Sequence, residues 1–145
     1  MKKLFRTFIA LAVIGSIATL ASCTKTCDEG YEGDKCDVKI ISKYTGTYSA
    51  SGTDNDGGTY TNWTVIVSES STDVLTILIN LQNAGITLNA KVAAEGGSYT
   101  IANQNISGFN YTGSGTLTSN AMTLTMTEVD GGGDAVIYNF TGTKQ

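Results

Sequence analysis

From Lys43 onward, apolar and polar residues alternate one by one in short runs. Tyr44, Gly46, Tyr48 and Ala50 share one side, against Thr45, Thr47 and Ser49. Trp63, Val65 and Val67 stand against Asn62, Thr64 and Ile66. Leu75, Ile77 and Ile79 follow, then Ile86, Leu88, Ala90 and Val92, then Tyr99 and Ile101. Phe109, Tyr111, Gly113, Gly115 and Leu117 come next, then Met122, Leu124 and Met126, and finally Val136, Tyr138 and Phe140. A period of two is the mark of strands with one buried and one wet face. Turn residues punctuate the runs at Asp54–Gly58, Ser70–Asp73, Asn83–Gly85, Glu95–Gly97, Ser119–Asn120 and Asp130–Asp134.

Eight such runs, evenly spaced and joined by hairpin-sized turns, predict an all-β antiparallel meander. The expected architecture is a small eight-stranded barrel, with a β-sandwich as the alternative. The apolar side supplies enough side chains to fill such a barrel. Gly113 and Gly115 on that side predict a tight bend or the close approach of another side chain. Tyr44, Tyr48, Tyr111 and Tyr138 need hydrogen-bond partners if buried. They either face a small pocket near one end or bond to backbone and to each other.

Composition refines this picture. The chain of 145 residues contains 22 Thr. β-Branched Thr suits an exposed pleat, so the surplus has a structural reason. There is no Pro and no His. Without His, Ser-His-Asp and Cys-His nucleophile systems, imidazole acid/base chemistry and His-containing metal sites are excluded. Without Pro, strand edges must be protected by closure or by lysines such as Lys39, Lys43 and Lys91.

Residues 1–22 read differently. Lys2, Lys3 and Arg6 precede an apolar stretch from Phe8 to Ala21 that is too short to span a membrane comfortably. A basic start, an apolar core and small residues at its end predict a helical secretory signal peptide. Its end, Leu20-Ala21-Ser22-Cys23, resembles a bacterial lipobox. The resemblance implies cleavage between Ser22 and Cys23 and acylation of Cys23, which would then hold the chain on a lipid bilayer. Three acyl chains at about 0.8 kcal/mol per buried CH₂ make such anchoring effectively permanent. Thr24 in place of Asp implies the outer membrane of a Gram-negative bacterium or its cell surface. Loss of Lys2, Lys3 and Arg6 leaves 6 basic against 13 acidic residues, a net charge of −7. An acidic chain without Arg is not expected to bind nucleic acid.

Residues 23–42 form the expected lipidated start and linker. Cys27-Asp28-Glu29-Gly30-Tyr31-Glu32-Gly33-Asp34-Lys35-Cys36 resembles the last loop of an EGF-like module. That resemblance implies a Cys27–Cys36 disulfide. With Cys23 lipidated, these are the two thiols left to pair in an oxidising compartment. The other cysteines of a full module are absent, so an EGF receptor ligand is not implied. The acidic loop reads as a solvated spacer, a surface-export tag or a weak Ca²⁺ contact.

Residues 43–145 form the barrel domain. Its opening, Lys43-Tyr44-Thr45-Gly46-Thr47-Tyr48, resembles the first strand of lipocalin-like (calycin) barrels. The chain also resembles a group of small bacterial lipoproteins with a lipid Cys and a half-EGF loop. The matching stretches are Leu75–Leu81, Ile86–Val92, Tyr99–Gln104, Gly113–Thr116 and Met122–Thr125. The resemblance implies the fold and the anchor, and no particular activity.

Candidate chemistry is sparse. Asp54-Asn55-Asp56-Gly57 is similar to the start of a calcium loop, but Val65 and Ile66 stand where the closing Glu belongs. A hairpin turn explains it. Asp130–Asp134 lacks the Lys-Ser/Thr of a phosphate cradle. Glu69, Glu95 and Glu128 are too scattered to pair by sequence alone. No catalytic residue, metal or cofactor is expected, and the chain is not read as an enzyme. Two functions stay open. One is a non-catalytic binding module for a glycan, small ligand or protein, with Tyr48, Trp63 and Tyr111 as candidate contacts. The other is a structural or hydrolase-inhibiting envelope lipoprotein.

Overall fold

The computed structural model describes residues 26–145. The expectations for residues 1–22 and for Cys23 lie outside that range. Two short strands pair antiparallel, β1 (Tyr31–Glu32) inside the Cys27–Cys36 loop and β2 (Val38–Lys39) just after it. A 3-10 helix, Ile40–Tyr44, follows. Eight longer strands then run as β3 (Gly46–Asp54), β4 (Thr59–Glu69), β5 (Thr76–Leu81), β6 (Ile86–Val92), β7 (Ser98–Ile106), β8 (Phe109–Leu117), β9 (Ala121–Val129) and β10 (Ala135–Lys144).

Each strand pairs with its chain neighbours, and β10 pairs with β3, so the meander closes into an eight-stranded antiparallel barrel. Closure, not a sandwich, is the outcome. It also explains how the chain manages without Pro, because closure pairs both end strands of the meander, β3 and β10, with each other.

The alternation places the apolar side inside. Tyr48, Val65, Ile77, Ile79, Leu81 and Leu88 are fully buried, and Leu117, Met122, Leu124 and Met126 join them. Turn chemistry sets the registers. Ile106 pairs with Phe109 across Ser107-Gly108, both at positive φ (54° and 92°). That is the two-residue hairpin whose twist matches the flanking strands.

Gly113 and Gly115 mark a close approach by another side chain. A Cβ on Gly115 would meet the Tyr99 ring and hydroxyl and the carbonyl of Thr123. The Tyr99 hydroxyl donates to that carbonyl at 2.6 Å. A Cβ on Gly113 would strike the carbonyl of Thr125 on β9 and only touch Ile101, at 3.4 Å. Gly115 is therefore the slot that receives the β7 side chain Tyr99.

The segment that leads into β3 closes one end of the barrel. Tyr44 belongs to the 3-10 helix rather than to the first strand. Ile40 and Ile41, on the linker side of residue 43, are buried with it. This turn stoppers the end formed by the β4–β5, β6–β7 and β8–β9 loops. The Tyr44 hydroxyl accepts from the Gly97 amide at 2.8 Å, and the Tyr48 hydroxyl donates to the Tyr44 carbonyl at 2.7 Å. Of the four tyrosines the sequence singled out, Tyr44 and Tyr48 thus bond to backbone, whereas Tyr111 bonds to the Glu128 side chain and Tyr138 stays half-buried at the other end.

The Cys27–Cys36 disulfide is present and folds its loop against the same end. A Cβ on Gly30, at φ +87°, would run into Val74 and Leu75. Lys39 pairs with Glu69 at 2.8 Å, Ser42 donates to Glu69 at 2.7 Å, and Lys43 pairs with Glu32 at 2.8 Å. The stopper is therefore held by apolar burial at its centre and polar contacts at its rim.

One seam differs from the rest. β6 and β7 share two paired positions, Lys91↔Thr100 and Val92↔Tyr99. Beyond them β7 bulges between Ile101 and Gln104. The Gln104 side chain accepts from the Asn89 amide at 3.0 Å and donates to the Asn89 carbonyl at 3.0 Å. A side-chain amide there replaces a missing peptide group of the ladder. A shallow groove of about 160 Å³, lined by Thr76, Asn89, Ala90, Lys91, Thr100 and Ala102, lies outside this seam.

Candidate functional site

Among the described residues, no turn like Ile40–Tyr44 is packed into the opposite end of the barrel. It is formed by the β3–β4, β5–β6, β7–β8 and β9–β10 loops. Its inward side chains are aromatic. Tyr60, Trp63 and Tyr138 are half-buried against the core, and Phe140 is buried beneath them. Tyr60 and Trp63 meet edge to face, with centroids 5.1 Å apart and planes at 73°. Tyr60 also lies 5.8 Å from Tyr138 and 5.6 Å from Phe140, and Trp63 lies 5.1 Å from Phe140.

Local geometry puts these rings together. Ala50 pairs with Trp63 and Gly52 with Tyr60, so β4 carries one extra residue there. Asn62 absorbs it at φ +56°. Asn tolerates that left-handed conformation better than most residues. The bulge resets the alternation, so Tyr60 and Trp63, three positions apart, share the inward face. Gly52 leaves room for Phe140, whose ring a Cβ there would strike at 2.7 Å.

Carboxylates surround the rings. The Tyr60 hydroxyl donates to Asp54 at 2.5 Å. That bond holds the Asp54 carboxyl below the usual carboxylate range and pushes the Tyr60 phenol up to about 12. Asp54 also accepts from the amides of Gly58 at 2.7 Å and Asp56 at 2.9 Å, which orders the hairpin. Burial, and then the Glu128 carboxylate beside it, push the Tyr111 phenol up to about 12. Burial raises Tyr138 first, and the charges of Glu128, Asp54 and Asp56 add to it. On the β9–β10 turn, Asp130 accepts from the amides of Gly132 at 2.8 Å and Asp134 at 3.0 Å. Asn55 ties the two hairpins, its amide donating to the Ile137 carbonyl at 3.1 Å and its side chain accepting from the Ile137 amide at 2.8 Å.

The sequence candidates Tyr48, Trp63 and Tyr111 fare differently. Tyr48 is fully buried and bonded toward the stoppered end. Tyr111 is buried on β8 near Glu128. Trp63 stands in the open mouth, and its ring neighbours are Tyr60 and Phe140. Tyr60 and Tyr138, rather than Tyr48, complete the aromatic surface with it. The readable signal for Tyr60 was Asn62, a residue suited to a bulge inside an otherwise continuous strand. Among the described residues, no group of three or more Cys, Asp or Glu side chains is arranged to hold a metal ion. No helix among them is long and apolar enough to cross a membrane.

No protein-family model matches this chain, and no curated protein matches it.

Proposed function

We propose that the chain is a lipid-anchored envelope protein whose barrel is a non-catalytic binding module. The anchor is Cys23, and the module presents its aromatic mouth away from the anchored end. The observation that carries this reading is the half-buried surface of Tyr60, Trp63 and Tyr138, at the end opposite the N-terminal segment. A barrel closed at one end by Ile40, Ile41 and Tyr44 and left aromatic at the other is polarised for recognition at that other end. Rings that pack on each other while keeping part of their faces in water suit ligand contact.

The lipid anchor rests on the Leu20–Cys23 motif and the basic, apolar segment before it. The half-EGF disulfide loop then acts as a short rigid spacer between lipid and barrel. Outer-membrane residence follows from Thr24 by the same resemblance. A non-catalytic role is supported by the lack of His and by the mouth carboxylates, which are engaged with phenols and turn amides.

Two measurements test the reading. Fractionation and mass spectrometry of the wild-type chain should give a membrane-bound form with diacylglycerol on Cys23 and residues 1–22 removed. Cys23→Ser should stay uncleaved, and a soluble unmodified wild-type chain would refute the anchor. Screening of glycans, small metabolites and envelope proteins against wild type and Trp63→Ala should find binding that the variant loses. Equal binding by both would refute the mouth as the site.

A further inference from the structure

The charges of the barrel are sorted by end. Asp54, Asp56, Glu128, Asp130 and Asp134 all stand at the open mouth. Among the described residues, every lysine lies elsewhere. Lys39, Lys43, Lys91 and Lys144 stand at the stoppered end, and Lys35 belongs to the disulfide loop. The three salt bridges, Lys39–Glu69, Lys43–Glu32 and Lys91–Asp73, are at the stoppered end too. Hydrogen bonds at the mouth come from neutral donors, namely the Tyr60 hydroxyl and turn amides. Such bonds leave each carboxylate its full charge.

An aromatic surface inside an uncompensated negative field selects among ligands. An anion is repelled. A neutral sugar gains stacking but nothing from the field. A cation gains twice, because ring faces carry negative potential and attract it as well. The rings also stand at wide angles, 73° between Tyr60 and Trp63 and 55° between Tyr60 and Tyr138. Non-parallel rings offer faces to a roughly spherical headgroup from more than one side.

We infer that the open mouth binds a small organic cation, an alkylammonium group held against Trp63, Tyr60 and Tyr138 and neutralised by Glu128 and its acidic neighbours. This inference rests on the mouth being a binding site and adds the chemical class of its ligand. Carboxylates that flank the rings act through space, so salt weakens binding without abolishing it.

Trp63 is the one tryptophan of the chain, so its fluorescence reports on the mouth alone. The full chain, held in uncharged detergent, is titrated with choline and with its neutral carbon isostere, 3,3-dimethylbutan-1-ol. A neutral disaccharide is the third probe. Choline should change Trp63 emission saturably and the isostere should not. The choline affinity should fall about threefold or more between roughly 0.01 and 0.15 M salt, as the Debye length shrinks from about 30 to 8 Å. Glu128→Gln should weaken it about two- to fivefold, the span of one exposed charge contact. Asp56→Asn, on an exposed turn, gives an independent check should Glu128→Gln disturb β9. Equal response to choline and its isostere, or a response to the disaccharide alone, overturns the cation and leaves the binding mouth standing. No response to any of the three also overturns the cation, and the mouth as a binding site is then decided by the Trp63→Ala screen.

Discussion

Gly115→Ala is the sharpest test of how the barrel is packed. The new Cβ would fall on the carbonyl of Thr123 and on the Tyr99 ring. The carbonyl belongs to the neighbouring strand and cannot swing away. The ring is among the largest fully buried side chains and has no empty space to enter. Forcing a methyl group into such a core costs about 1–3 kcal/mol. Displacing the ring also breaks the 2.6 Å bond from Tyr99 to Thr123, worth roughly 1 kcal/mol. Replacing Gly stiffens the unfolded chain and returns about 0.4–1 kcal/mol. The net loss is about 1–3.5 kcal/mol. Urea unfolding followed by circular dichroism should show a midpoint lower by about 0.5–2 M at unchanged slope. Gly131→Ala is the control, since nothing lies within 4 Å of its Cβ position and its φ is not in the left-handed region. It should unfold within about 0.5 kcal/mol of wild type. Tyr99→Leu in the Gly115→Ala background should restore only part of the loss, because the carbonyl contact remains. A Gly115→Ala protein as stable as the control would refute the slot.

Ile41→Ala removes a fully buried stopper side chain and should cost about 2–5 kcal/mol, read as a lowered thermal midpoint. An unchanged midpoint would mean the stopper is not part of the core. Cys27→Ser opens a bridge spanning 9 positions and should remove roughly 2.5 kcal/mol of loop-closure stabilisation. Hydrogen exchange should then rise at β1 and β2 while the barrel strands stay protected. Alkaline titration should show tyrosines that ionise late, because Tyr48, Tyr60, Tyr99, Tyr111 and Tyr138 are all raised above 10. A raised phenol is protonated in the fold while the unfolded chain ionises near 10. Its stabilisation is complete below that pH and disappears as pH rises through the folded value, about 12 for Tyr60 and Tyr111. Absorbance at pH 11 should therefore fall short of seven tyrosinates and jump on unfolding in denaturant. A full seven at that pH in the folded protein would contradict the burial.

The strands were legible because one-sided burial writes a period of two into the chain. The Leu75–Leu81, Ile86–Val92 and Met122–Met126 runs needed nothing more. Gly113 and Gly115 were legible as a tight bend or a close approach, but neither which of the two nor whose ring filled the space was written there. What escaped is where the period breaks. Tyr60 was missed because the bulge at Asn62 shifts parity by one, and alternation counted across it points Tyr60 outward. Ile40 and Ile41 were missed because two adjacent apolar residues in a 3-10 turn have no strand-like rhythm. The role of Gln104 escaped because a side-chain amide that imitates a peptide bond looks like any polar strand residue. The mouth is thus only partly written in pattern. Its acidic turns are visible in the sequence, but their convergence with Tyr60, Trp63 and Tyr138 is a product of closure.

The β10–β3 ladder joins Tyr138 to Asp54 and Lys144 to Tyr48, positions 84 and 96 residues apart. All other barrel pairings are between neighbouring hairpin strands that form as soon as both have emerged. A chain delivered from its N-terminus can zip up these hairpins in order, yet it remains an open curved sheet with two sticky margins until the ten residues of β10 arrive. The rate of folding is then governed by one long-range event. Truncation within β10 should be far more damaging than its length suggests, leaving a soluble hairpin array prone to pair with its own kind.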